Sequence, residues 1–144
     1  MKIEEFKDIT IAYMRNIGEY GNKNEKLMVD FKNFLKENNL FTDTAIILGI
    51  ALDNPNLIPA DELRYDVGLI LNENKKVNLP TRKIDDGKYA IFEVIHTKQD
   101  VLSFWGNIHK LTVDLLVDDR RPIIERYASN KIANHLCEFC VPIL

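Results

Sequence analysis

At 144 residues the chain can bury one hydrophobic core and is too short for two, and a composition of 46% hydrophobic and 28% charged residues excludes disorder and fibrous repeats. A formal net charge of -3, with cations scattered as Lys-Lys and Arg-Arg pairs, excludes an extended phosphate-binding stripe, so no direct nucleic-acid partner is expected. No apolar run approaches the roughly 18 residues of a membrane span, and the charged start Met1-Lys2-Ile3-Glu4-Glu5 is unlike a signal peptide. A cytoplasmic location without a membrane partner is therefore expected.

The segment from Asp8 to Ile17 is β-branched and aromatic and stops at Gly18, which predicts a first strand. Asn24 is placed to cap a helix in which Leu27, Phe31, Phe34 and Leu35 form one apolar stripe, ending near Asn38-Asn39. Two further strands are predicted at Ala45 to Leu52 and Arg64 to Leu71, separated by the Asp53-Asn54-Pro55 and Pro59-Ala60-Asp61 breaks. Lys75 to Asp86 is polar, contains Pro80 and reads as a connection. Strand character resumes from Gly87 to Ile95. Val101, Trp105, Ile108 and Leu111 or Thr112 then restore helical spacing, and Pro122 to Tyr127 and Leu136 to Ile143 read as closing strands.

The order strand, helix, strand, strand thus occurs twice, in pseudo-repeats of about 1–74 and 75–144 within a single domain of residues 1–144. The repeat places Ile11-Ala12-Tyr13-Met14 parallel to Tyr89-Ala90-Ile91-Phe92. The fold class is α+β, with two similar halves meeting along a pseudo-twofold seam.

Cys137 and Cys140 form a Cys-x-x-Cys, but it lies in an apolar strand, where a three-residue spacing sends side chains to opposite faces, and no second ligand pair accompanies it. His96, His109 and His135 are isolated, and Ser103 and Ser129 lack the context of an activated nucleophile. No metal and no cofactor is expected.

Six segments in order resemble the bacterial GyrI-like small-molecule-binding domains, which also serve as effector domains of AraC-type and MerR-type multidrug regulators. They are Ile11-Ala12-Tyr13-Met14-Arg15-Asn16-Ile17-Gly18-Glu19-Tyr20, Gly49-Ile50-Ala51-Leu52-Asp53-Asn54-Pro55, Leu63-Arg64-Tyr65-Asp66-Val67, Gly87-Lys88-Tyr89-Ala90-Ile91-Phe92, Ile124-Glu125-Arg126-Tyr127 and Cys137-Glu138-Phe139-Cys140-Val141-Pro142-Ile143. The resemblance implies an antiparallel sheet with two helices on one side and a ligand groove between the halves. By motif it implies that Glu125 and Glu138 are the acidic groove residues. It departs at Lys98, where relatives tend to carry glycine, and between Leu115 and Arg121, where the chain is short. No helix-turn-helix precedes the first strand, so a stand-alone monomer is expected, acting alone or with a separate regulator.

If Glu125 faces the groove, strand alternation puts Ile123 and Tyr127 beside it, while Glu138 shares a face with Leu136 and Cys140. Both carboxylates are expected in one cavity, walled by Tyr13, Tyr20, Tyr65, Tyr89, Phe92 and Trp105. The alternative for either glutamate is an ion pair with Arg15, Arg64 or Arg126 that only stabilises the fold. Asp53 and Asp66 read as turn or strand-end partners. Trp105 is equally well a core residue, and Phe92 leans toward the core.

Three functions follow from the resemblance. One is binding of an amphipathic aromatic or cationic compound, giving drug or genotoxin protection. A second is hydrolysis of the cyclopropane ring of cyclopropanoid DNA-alkylating compounds, with Glu125 as general base. The third is inhibition of DNA gyrase.

Overall fold

The computed structural model describes residues 1–72 and 75–144, so the boundary expected between the repeats, near residue 74, lies outside the described residues. Eight strands are present among the described residues: β1 (Lys2–Phe6), β2 (Thr10–Ile17), β3 (Ile46–Ala51), β4 (Arg64–Ile70), β5 (Thr81–Lys83), β6 (Gly87–Ile95), β7 (Ile124–Ala128) and β8 (Leu136–Ile143). All pair antiparallel in one sheet of order β1-β6-β8-β7-β3-β4-β2-β5. The helices are α1 (Asn22–Glu37), α2 (Lys98–Gly106) and two short turns, α3 (Ile108–Leu111) and α4 (Ser129–Ile132).

The duplicated unit is visible as β2-α1-β3-β4 and β6-α2-β7-β8. Within each half the last strand pairs between the other two, and β3 meets β7 at the centre, with Gly49 opposite Glu125. The seam strand β3 is apolar for a physical reason: Ile-Ile-Leu-Gly-Ile-Ala is covered on both faces, which favours a continuous hydrophobic run over alternation.

Helix α1 buries Leu27, Phe31 and Leu35, one side chain per turn, against Ile47, Tyr65, Val67 and Leu69. It begins earlier than Asn24. Its N-cap is Gly21, whose φ of 135° is open to glycine and strained for other residues. In α2 the buried residue is Phe104 rather than Trp105; Phe104 stacks on Phe139 with centroids 4.2 Å apart, and the Thr97 side chain caps the helix by accepting from the Asp100 N–H at 3.1 Å. The predicted second helix breaks at Gly106-Asn107 and resumes as α3.

Two edge strands escape the periodicity argument. β1, Lys-Ile-Glu-Glu-Phe, is mostly charged, and β5 is three residues inside the stretch expected to be a connection. Each is an edge strand, held by pairing to β6 and β2, and charged edges resist pairing with other molecules.

The connections of these edges bend the sheet. Residues 7–9 join β1, at one end of the strand order, to β2, next to last at the other, and residues 84–86 join β5 to β6 in the same manner. Three linking residues reach about 14 Å, whereas a flat sheet would set β1 and β2 about 29 Å apart. The two straps are joined: the Ile84 N–H donates to the Ile9 carbonyl at 2.8 Å and the Asp8 N–H to Asp86 Oδ1 at 3.0 Å. The face without helices is thereby folded onto itself and buries Phe6, Ile11, Leu48, Ile50, Ile84, Tyr89, Ile91, Ile124 and Cys140.

No described helix is long and apolar enough to cross a membrane.

Candidate functional site

The helix face of the seam is a trough between α1 and α2. Its floor includes Gly49 of β3, Glu125 of β7 and Phe139 of β8, which lie side by side in register. The Tyr65 hydroxyl donates to Glu125 Oε1 at 2.6 Å, and the Tyr127 phenol also helps to hold the carboxylate. A Cβ at position 49 would collide with the Tyr65 hydroxyl and the Glu125 carboxylate, so glycine here is what lets the two meet.

No arginine or lysine forms an ion pair with Glu125 among the described residues. Burial raises its carboxyl above the ordinary range, while the phenolic hydrogen bonds pull it part of the way back. Burial and the neighbouring carboxylate together push both Tyr65 and Tyr127 far above the ordinary phenol range, so both remain donors at any physiological pH. The carboxyl group is therefore desolvated and held by neutral donors.

One pleat further along the seam, the floor continues as Ala51, Ile123 and Val141 and opens into a cavity of about 680 Å³. Tyr20 stands on one wall, edge-on to Tyr65 with centroids 6.3 Å apart, and its hydroxyl is fixed by the Arg64 carbonyl at 2.8 Å. Trp105 stands on the other, edge-on to Phe139 at 5.4 Å, followed by Ile108 of α3. Tyr20, Tyr65, Tyr127 and Trp105 thus surround the row from Glu125 to this cavity.

A family model, the GyrI-like small molecule binding domain, matches residues 1–144. The chain belongs to that family. It is 48% identical over 145 residues to the SPbeta prophage-derived YosT of Bacillus subtilis (strain 168), whose name marks it as a candidate transcriptional regulator, covering 98% of this chain and 97% of that protein. It is 25% identical over 115 residues to a DNA gyrase inhibitor of Pectobacterium carotovorum subsp. carotovorum (strain PC1), covering 76% and 73%. Among solved structures it is similar in fold to the EcmrR C-terminal domain (TM-score 0.70, 12% identity, 99% and 96% of the two chains). It is also similar to SAV2435 bound to tetraphenylphosphonium (TM-score 0.66, 14% identity, 99% and 93%).

In this GyrI-like chain the two glutamates do not share a cavity. Glu138 pairs in register with Arg126, the neighbour of Glu125 in β7, and so projects from the opposite face. There it is buried against Arg126 Nε at 3.0 Å, and Arg126 also grips Glu4 at 2.9 and 3.0 Å. It is an ion-paired structural residue.

Tyr13 and Tyr89 also depart from the expected wall, since alternation sends both to the face without helices. Tyr13 lies between the guanidiniums of Arg15 and Arg82, and Tyr89 is buried between Phe6 and Arg121. Phe92 remains on the helix face but packs beneath α2 against Phe104.

Asp53 and Asp66 are ion-paired partners, Asp53 with Arg64 and the fully buried Asp66 with Arg15 and Arg82. Cys137 and Cys140 are free, buried and on opposite faces of β8. Sequence reasoning did not single out Gly49 or Ile108 as site residues; a glycine inside an apolar strand was the available signal for Gly49.

Proposed function

We propose that this GyrI-like domain binds a lipophilic, aromatic cation with its positive charge over Glu125. The observation that carries the reading is the pairing of Glu125: a desolvated carboxyl group held by phenols and, among the described residues, by no cation. Such a group costs several kcal/mol unless a positive charge or a proton arrives to compensate it. The aromatic walls add stacking and cation–π attraction of about 0.5 to 2 kcal/mol per contact. The complex of SAV2435 with tetraphenylphosphonium, a fold neighbour, agrees with a ligand of this type. Sequestration of such compounds protects a cell by lowering their free concentration, and the similarity to YosT, whose name marks it as a candidate transcriptional regulator, agrees with a ligand-sensing role in regulation.

Titration with tetraphenylphosphonium tests the reading, because Trp105 is the only tryptophan and reports on the groove. Binding to the wild type that weakens about tenfold or more in Glu125→Gln is expected. Equal affinity in both proteins overturns it.

A second reading, hydrolysis of a cyclopropanoid alkylator, is favoured by the burial of Glu125, which raises the proton affinity of its carboxyl above that of an exposed carboxylate and makes it a stronger base. Glu125 would take the proton of a water attacking the strained carbon, while a tyrosine hydroxyl stabilises the developing phenolate. Sustained loss of dienone absorbance that disappears in Glu125→Gln is the expected signature; a stoichiometric shift without turnover rejects hydrolysis and leaves binding. Gyrase inhibition rests on the name of the Pectobacterium relative alone.

A further inference from the structure

The carboxyl group of Glu125 and the open space of this groove are in different places. Glu125 does not line the 680 Å³ cavity; Ile123, two residues before it at the entry to β7 and on the same face, does. Two residues along a strand are about 6.7 Å. The same step separates Gly49 from Ala51 in β3 and Phe139 from Val141 in β8, so the whole floor changes from acidic to apolar across one pleat.

The two places are continuous at the walls. Tyr20 lines the cavity and touches Tyr65, which holds Glu125; Trp105 lines the cavity and touches Phe139, which is in register with Glu125. The carboxylates Asp53 and Asp118 of the cavity are already paired within the protein, Asp53 with Arg64 at 2.8 Å and Asp118 with both Arg120 at 2.9 Å and Arg121 at 3.1 Å, Arg120 lying exposed at the rim. Asp119 and His109 are exposed at its rim. What the cavity interior offers a ligand is apolar and aromatic surface.

We infer that the groove is built for a head-and-limb ligand: a cationic head over Glu125 and an uncharged aromatic limb extending one pleat along the seam into the cavity lined by Ile123, Trp105 and Ile108. The inference rests on the cation-binding reading of Glu125 and adds to it a minimum length and a polarity. A compact cation fills the first position and leaves the second empty. A neutral aromatic fills the second without meeting the charge. A ligand charged at both ends places its second charge against apolar surface, where desolvation works against it.

Calorimetry on the full chain with benzyltrimethylammonium, its biphenylmethyl homologue and neutral biphenylmethanol tests this. The biphenylmethyl cation is expected to bind about tenfold or more tightly than the benzyl cation, from the additional apolar area buried. Trp105→Ala and Ile108→Ser, both at positions that reach the surface, are expected to bring that ratio close to one. Glu125→Gln is expected to weaken both cations and leave the neutral alcohol as it was. A wild-type ratio near one, or a ratio that survives both cavity substitutions, overturns the head-and-limb arrangement while the Glu125 reading stands. Cation affinities insensitive to Glu125→Gln overturn the Glu125 reading and the inference with it.

Discussion

The two faces of the sheet treat buried carboxylates in opposite ways. On the face without helices, Asp66 and Glu138 are each the third residue of the middle strand of their half, and both are gripped by arginine. Asp66 holds Arg15 at 2.6 Å and, through Arg82, the edge strand β5; Glu138 holds Arg126 at 3.0 Å and, through it and Glu4, the edge strand β1. On the helix face, Glu125 sits one residue from Arg126 and has phenols only. Adjacent residues of one strand thus differ in their partners: Arg126 ties down carboxylates on one face, while Glu125, on the other, is the residue proposed for recognition, and the presence or absence of a guanidinium separates the two.

The largest effect that could break this contrast is Arg126→Ala. It leaves Glu138 buried without a partner and frees Glu4, so a loss of about 3 to 5 kcal/mol in urea unfolding is expected. A loss below about 1 kcal/mol would mean that the latch is ornamental.

Next comes Gly49→Ala, expected to cost about 1 to 3 kcal/mol by thermal unfolding and to weaken cation binding, because the new methyl group separates Tyr65 from Glu125. Glu125→Gln sharpens the contrast from the other side. Replacing a desolvated charge by an amide is expected to leave stability unchanged or raise it by about 1 kcal/mol at neutral pH, even as cation binding fails.

The smallest effect is in pH dependence. Hydrogen bonding to Arg126 lowers the Glu4 carboxyl from 4.5 to about 2, so its contribution is complete above about 4.5 and is lost as the pH falls toward 2. Glu125 has the reverse sign. Its folded-state value is raised, so stability declines as the pH rises through that value and the carboxylate ionises. Melting curves of Glu4→Gln and Glu125→Gln against wild type between pH 7 and 2 are expected to converge for Glu4 at the acid end. For Glu125 they are expected to differ most at neutral pH.

Much of the architecture was legible from period alone. Leu27, Phe31 and Leu35 announce α1, the β-branched runs announce the long strands, and the repeated order announces the seam. The placement of Glu125 with Tyr127 and Ile123 follows from alternation along β7. The side taken by Glu138 does not, because it depends on the register between β7 and β8, which no spacing within either strand encodes. Tyr13 and Tyr89 were misplaced for the same reason: residue type marks them as aromatic surface, and only pairing tells which surface. The edge strands were missed because much of their stability comes from partners far away in the chain, such as Ile3 with Ala90, Glu4 with Arg126 and Arg82 with Ile11.

The seam also governs how the chain can be made. β3 is an apolar strand whose partner β7 begins more than 70 residues later, and β1 waits for β6, which begins at Gly87. During synthesis the first half therefore emerges with Ile-Ile-Leu-Gly-Ile-Ala as an unpaired edge, a sequence prone to pairing with other chains. Closing such distant strands makes folding slow relative to a helical protein of this length. The same strand that carries a third of the groove floor is the segment most in need of protection before its partner arrives.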